Sequence, residues 1–389
     1  MGNRKLHVHH LITRLELGGA QQNTLYCVRN HDRSRFSVSL GAGPGGVLDA
    51  DARAIPDAQV FWFPELVREV SPAKDIPFLL KFAGFLRKHR VDILHTHSSK
   101  AGILGRLAGA IARVPVVVHT VHGWGFHDYQ RPPVRAFYVL LERMMSPLTD
   151  LLIAVSRENI DRGLRMGIGH YTQYRLIHSG IDIGAFGKPR RTRAAIRKGL
   201  GIPASALVVG TVGNFKPQKA PLDFVRAAAL VQKSVPNAWF VMAGDGELMK
   251  DSEQLAGKLG IAKKIVFTGW RRDIPDLLAS FDLFALSSLF EGLPRSVLQA
   301  HVAGLPIVAT DAGGTAEAVR DGVTGYIVRP RDTAGLAARI IAILRDPARA
   351  RAMGEAGRKA IGEDFEIGRM LADIEESYLE LVALKGLTS

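Results

Sequence analysis

A single cysteine, Cys27, is all that the 389 residues contain. This excludes an intramolecular disulfide and a cysteine metal cage, and it fits a reducing compartment. Long apolar runs are also missing. No stretch reaches the roughly 18 uninterrupted apolar residues of a membrane-spanning helix. The opening MGNRKLHVHHLITRLELGG breaks its short apolar run with histidines, which argues against a signal peptide. The expectation is a cytoplasmic protein, with attachment to the inner face of a membrane left open. Acidic residues are in deficit, with 37 Asp plus Glu against 51 Lys plus Arg, for a net charge of +14. Such an excess favours anionic partners: nucleotide phosphates, anionic lipid head groups or nucleic acid. The basic residues are spread along the chain without a nucleic-acid-binding module, so no specific nucleic acid is expected.

What the chain does have is alternation. Short apolar segments at Leu6–Ile12, Ser37–Gly41, Gln59–Phe63, Ile93–Thr96, Val114–Thr120, Leu151–Val155 and Arg175–His178 read as strands. Amphipathic helical patterns separate several of them, which predicts a parallel α/β sheet covered on both faces. The segment Gly180–Gly201, with five glycines, a proline and the basic run from Lys188 to Arg193, interrupts the pattern and is the expected linker. Strands then resume at Leu207–Val212, Trp239–Ala243, Ile265–Thr268, Leu283–Leu286 and Ile307–Ala309, and three helical segments end the chain. Two such α/β units leave ligand sites at the carboxyl ends of their strands.

Four stretches carry chemistry. In Ser287-Ser-Leu-Phe-Glu-Gly-Leu-Pro-Arg a strand ends and a turn presents Glu291, a hydrogen-bond acceptor suited to sugar hydroxyls. Gly292 permits close backbone approach, and Pro294 suits the start of the next helix. The turn Gly213-Asn-Phe-Lys-Pro-Gln-Lys offers two cations, Lys216 and Lys219. Gly18-Gly19, after the first strand, opens a helix whose amides suit a phosphate or sugar. His122, before Gly123-Trp-Gly, sits at the end of a strand; His119 competes with it. His7, His9 and His10 on the first strand read as packing or edge residues. Asp49-Ala-Asp51 reads as a solvated turn and not a metal pair, since acids favour turns, and no metal is expected.

These motifs, with His95-Thr-His-Ser, His178-Ser-Gly-Ile-Asp, Ala243-Gly-Asp-Gly-Glu-Leu and Asp311-Ala-Gly-Gly-Thr-Ala-Glu, resemble the family 4 retaining glycosyltransferases over nearly the whole chain. The resemblance implies the GT-B fold, two doubly wound Rossmann-like domains facing across a cleft. It places an acceptor-side domain at residues 1–185, a nucleotide-sugar domain at 186–365, and a helix at 366–389 that packs back on the first. It implies transfer from a nucleotide-sugar donor, with a UDP-sugar the expected one, to a saccharide or lipid-linked acceptor, with retention and without metal or cofactor. Glu291 and His122 would be the catalytic residues. Gly18, Gly19, Asn214, Lys216, Lys219, Gly292, Leu293, Pro294 and Gln299 would bind the donor. Two positions depart from the pattern: Gln299 stands where the family has a second glutamate on the ribose, and Asn214 where it usually has arginine. A nucleotide-sugar 2-epimerase of the same fold and a degenerate nucleotide-sugar-binding protein are the alternatives.

One segment stays open. On a helix from Val134, Phe137, Val139, Leu140, Leu141, Met144 and Met145 supply apolar surface, and Arg131, Arg135 and Arg143 supply charge. An apolar helix face is usually core, which is the expectation taken; an anionic membrane surface is the other occupant that this pattern fits.

Overall fold

The computed structural model describes residues 4–387. Its strands form two wholly parallel sheets. The first contains β1 (Leu6–Arg14), β2 (Phe36–Gly43), β3 (Ala58–Trp62), β4 (Ile93–His97), β5 (Val116–Val121), β6 (Leu151–Ala154) and β7 (Tyr174–Leu176), in the order β3-β2-β1-β4-β5-β6-β7. The second contains β8 (Leu207–Val212), β9 (Ala238–Ala243), β10 (Ile265–Phe267), β11 (Leu283–Leu286), β12 (Ile307–Thr310) and β13 (Gly325–Val328), in the order β10-β9-β8-β11-β12-β13. Strand order therefore reverses beside β1 and beside β8, and such switch points are where doubly wound sheets take their ligands.

The chain divides into two compact units, one running to Ser179 and resuming at Ile367, the other spanning Gly180–Glu366. In the first unit, period-two alternation sorts β1 onto two faces. Val8 and Ile12 join the core under the helices Gly19–Asn30 and Ile367–Leu384, with Leu25, Val28, Ile374 and Tyr378. Leu11 joins the opposite core with Phe78, Phe82 and Leu86 of the helix Pro72–Lys88. The second unit packs Phe224, Val225 and Val231 of the helix Pro221–Ser234 on Phe240, Met242 and Ala285.

The segment expected to be the linker, Gly180–Gly201, begins at the boundary between the two units. It holds the helices Ile183–Gly187 and Arg193–Gly199, which pack on the helix Ile274–Ala279 of the second unit. Its arginines meet acids: Arg191 bonds Asp276 at 3.0 Å, and buried Arg197 bonds Asp282 at 2.7 Å. Charge pairing across distant sequence hid this order. The first strand is central, flanked by β2 and β4, so of the two readings of its histidines, packing and edge, the packing one holds. Asp49 is not solvated: it is 8% exposed, and its Oδ2 accepts the Gly45 amide at 2.8 Å. The helix Arg157–Arg165 and β13 also went unanticipated; the helix has few apolar residues and is started by the Ser156 side chain, which accepts from the Asn159 amide.

The helix Pro132–Met145 turns the opposite way from a core helix. Its inner face carries Glu142, which is 2% exposed and bonds buried Arg106 at 2.6 Å. Val139 and Met145 pack beside it, whereas Phe137, Leu140 and Met144 are 47%, 54% and 56% exposed. The expectation that this apolar side covers the sheet therefore fails for those three. Removing one partner of a buried pair strands the other charge, which costs about 3–5 kcal/mol. Glu142→Ala should thus lower the thermal midpoint by about 10 °C or more, while the double change Arg106→Met, Glu142→Leu recovers most of it. An unchanged midpoint for Glu142→Ala would show that the pair does not fix this helix.

Candidate functional site

At the switch point of the second sheet, the turn after β8 and the turn after β11 meet. Lys219 Nζ donates to Glu291 Oε1, and Ser288 Oγ donates to the same oxygen at 2.6 Å. The glutamate side chain is 7% exposed and the lysine side chain 22%. Backbone contacts lock the two turns together: the Leu289 amide donates to Gln218 O at 2.7 Å, and Gln218 Nε2 donates to Phe290 O at 2.9 Å. Asn214 and Lys216, both half-buried, share the Lys219 turn; the Lys216 amide donates to Asn214 O, and the Lys219 amide to Lys216 O. Gly292, Leu293 and Pro294 are buried, and Pro294 sits just before the helix Arg295–Val302 that carries half-buried Gln299.

The glycine that this turn requires is a different one. Gly313, in the loop after β12, has φ +57°, and a Cβ there would lie 2.1 Å from Glu291 O. The Gly314 amide donates to Gly292 O at 3.1 Å. The third motif behaves alike: Gly244 has φ +137°, and its Cβ would meet Gly213 O at 1.9 Å. The scattered glycine motifs of the second unit are thus backing for the Lys219–Glu291 turns.

In the first unit, Gly18 and Gly19 lie between β1 and the helix Gly19–Asn30, and Gly18 takes an extended conformation at the position before it. His122 follows β5, half-buried. A small cavity at the carboxyl end of this sheet brings His122 together with Asn23, Thr24, Cys27, His97 and Thr120. Asn23 is 2% exposed, and its two amide atoms have no partner among the described residues. His119 points to the opposite face, where it pairs with Thr96 Oγ1 at 2.9 Å, so it is not placed with His122.

Behind His122 lies an arrangement that sequence reasoning missed. His97 Nδ1 is 3.1 Å from His122 Nε2, His97 Nε2 is 3.0 Å from His10 Nδ1, and His10 Nε2 is 2.9 Å from His31 Nε2. His31 Nδ1 then lies 2.8 Å from Glu375 Oε1 on the last helix. His95 stacks on His97 with ring centroids 4.2 Å apart and bonds Tyr378 and Thr120 at its two nitrogens. Burial holds His10, His95 and His97 well below the usual histidine pKa, helped by repulsion among the rings, and it lowers His31 despite Glu375. Ligand atoms of His10, His95 and His97 fall within 4.8 Å of one another. All six ring nitrogens of these three are already hydrogen-bonded. The other two first-strand histidines do pack: His9 lies among Phe61, Phe82 and Phe85, and His7 bonds Ser39 at 2.7 Å. A signal was available, because His10, His95, His97 and His122 all have the parity of the core under the last helix.

Two family models cover most of the chain, Glycosyltransferase Family 4 at residues 17–184 and Glycosyl transferases group 1 at residues 192–360. A UDP-Gal:alpha-D-GlcNAc-diphosphoundecaprenol alpha-1,3-galactosyltransferase of Escherichia coli is 31% identical over 388 residues, covering 98% of both chains. The chain belongs to glycosyltransferase family 4. An N-acetyl-alpha-D-glucosaminyl L-malate synthase of Bacillus anthracis is 27% identical over 80% of each chain. The fold is GT-B. The crystal structure of Anabaena Alr3699/HepE in complex with UDP and glucose superposes with a TM-score of 0.83 at 23% identity, covering 96% of this chain and all of that one. These likenesses do not support the epimerase alternative. For this glycosyltransferase, Glu291→Ala should lower kcat/KM for the donor about 100-fold, the loss usual for a group that stabilises the transition state. Gly313→Ala should lower it too, by displacing the Glu291 backbone, whereas Asp49→Ala and Asp51→Ala leave it within twofold. Steady-state kinetics decide, and near-native values for Glu291→Ala remove it from the site.

Proposed function

We propose that this glycosyltransferase moves a sugar from a UDP-sugar to a hydroxyl of a lipid-linked saccharide, with retention and without a metal, at a membrane surface. The observation that carries the reading is the Lys219–Glu291 pair at the second switch point. An ammonium has three N–H donors, so Lys219 retains donors for a diphosphate while one holds Glu291. Glu291 takes both of its described bonds at Oε1, which leaves Oε2 as the acceptor for donor sugar hydroxyls. Lys216, and the amides opening the helix at Arg295, add positive potential. Gln299 meets the ribose with a neutral acceptor, about half as strong as a carboxylate, and Asn214 supplies no charge. In the transfer, the bond from the anomeric carbon to the diphosphate oxygen breaks and the acceptor oxygen bonds that carbon on the same face. The acceptor proton passes to the leaving diphosphate, whose charge the lysines stabilise.

The donor and acceptor classes draw support from the relatives. The E. coli enzyme is named for UDP-Gal and a diphosphoundecaprenol acceptor, and the Anabaena structure holds UDP and glucose. Among the described residues, no helix is long and apolar enough to cross a membrane. The outward stripe Phe137, Leu140 and Met144 supplies a surface that lies on one instead. Exposed Arg131 and Arg143 flank it, and half-buried Arg135 lies on the same helix. Basic residues near anionic lipid contribute about 1 kcal/mol each, enough together with this stripe for reversible attachment. Flotation with anionic vesicles should therefore recover the protein at low salt, less at high salt, and little after Phe137→Ser with Leu140→Ser. Transfer should proceed equally with and without EDTA. Equal recovery with neutral and anionic vesicles, or activity abolished by EDTA, overturns the respective part.

A further inference from the structure

We infer that Glu375, on the last helix, fixes the tautomer of His122 through His31, His10 and His97, and so holds His122 as a hydrogen-bond acceptor for a sugar hydroxyl. The inference deepens the proposed function and rests on its placing His122 against ligand.

A neutral imidazole has one N–H and one lone pair. In a series of rings bonded nitrogen to nitrogen, every bond must therefore run in the same direction, and one fixed end sets them all. Glu375 is that end. Its Oε1 accepts the Asp32 amide at 2.8 Å as well as the bond from His31. His31 then carries its proton on Nδ1 and accepts at Nε2 from His10. His10 accepts at Nδ1 from His97, and His97 accepts at Nδ1 from His122. His122 is left with its proton on Nε2, directed into the protein, and its lone pair on Nδ1. A ring so held receives a hydroxyl proton and repels a phosphate oxygen. That selects a sugar hydroxyl over a phosphate oxygen as its partner.

The surroundings keep the series unbranched. His95 is saturated by Tyr378 and Thr120, so it walls the series without diverting it. Burial keeps His10, His97 and His31 neutral at neutral pH, as the series requires. The other ionisable groups facing it are Arg33, Cys27, Tyr378, His9 and His119, and burial pushes the Cys27 thiol up to about 12. Asn23, whose buried amide lines the same cavity as His122, offers the incoming hydroxyl a second partner.

Histidine-selective 15N labelling tests this in the full chain, with His122 assigned by its loss in His122→Asn. In the native protein at pH 7.5, His122 should show the Nε2–H tautomer. Glu375→Leu should convert its signal to a tautomer mixture and lower kcat roughly tenfold, a fraction of the ~10²–10⁴-fold that a positioned proton-handling group contributes, with donor KM unchanged. Glu375→Gln, whose amide oxygen still accepts, should restore both. A native Nδ1–H tautomer, an unchanged His122 signal in folded Glu375→Leu, or stoichiometric Zn2+ uptake that abolishes these N–H signals overturns the inference. The native tautomer decides the matter even if Glu375→Leu does not fold. Failure of the underlying reading looks different: His122→Ala would leave kcat/KM unchanged while the tautomer still followed Glu375.

Discussion

A strand that is hydrogen-bonded on both sides and covered on both faces can offer a functional group to a ligand only from its end. This constraint governs both sheets. β1, β4 and β5 in the first, and β8, β11 and β12 in the second, are interior strands, largely buried along their length. Their side chains are spent on packing. The candidate groups then collect where the strands stop, in the turns holding Lys219 and Glu291 and in the residues following β5. The same constraint explains the glycines. Turns from neighbouring strands converge so tightly that Gly244 and Gly313 lie against carbonyl oxygens of the turns beside them, where no side chain fits.

Polar groups that are buried nevertheless are paired, and their pairings orient whole elements. Arg106 and Glu142 bind two helices of the first unit and turn the acid of the helix Pro132–Met145 inward. Phe137, Leu140 and Met144 are left to face outward, which is the reverse of the usual arrangement. The histidine series acts in the same manner across the sheet. It joins β1, β4, the residue after β5 and the helix Ile367–Leu384 without an apolar contact between the rings being required. A series that satisfies each nitrogen in turn is the kind of feature that a functional histidine at its end accounts for.

Much of the fold was legible from residue order. Alternating apolar and helical segments predicted parallel strands, because strands buried on both faces read as unbroken apolar runs such as Val116-Val-Val and Leu283-Phe-Ala-Leu. The turn holding Glu291 and the lysine turn were legible for a similar reason: turn residues, a lone acid and lysines follow directly on an apolar strand. What was not legible was of another kind. The glycines and arginines of Gly180–Gly201 are local signals and marked the boundary between the units, whereas the acids that order its helices, Asp276 and Asp282, lie far along the chain.

The amino-acid sequence by itself determined the parallel α/β architecture, the two glycine-rich strand ends and the identity of Glu291, Lys219 and His122 as candidates, since each of these is written in consecutive residues. The tertiary structure alone decided which partners those residues meet. Lys219 and Glu291 are 72 positions apart, and His31 and Glu375 are 344 apart. Strand order brings the first pair together, and the return of the last helix onto the first unit brings the second. Neither can be read from local periodicity, because hydrogen bonds between side chains depend on distance in space and not on distance along the chain.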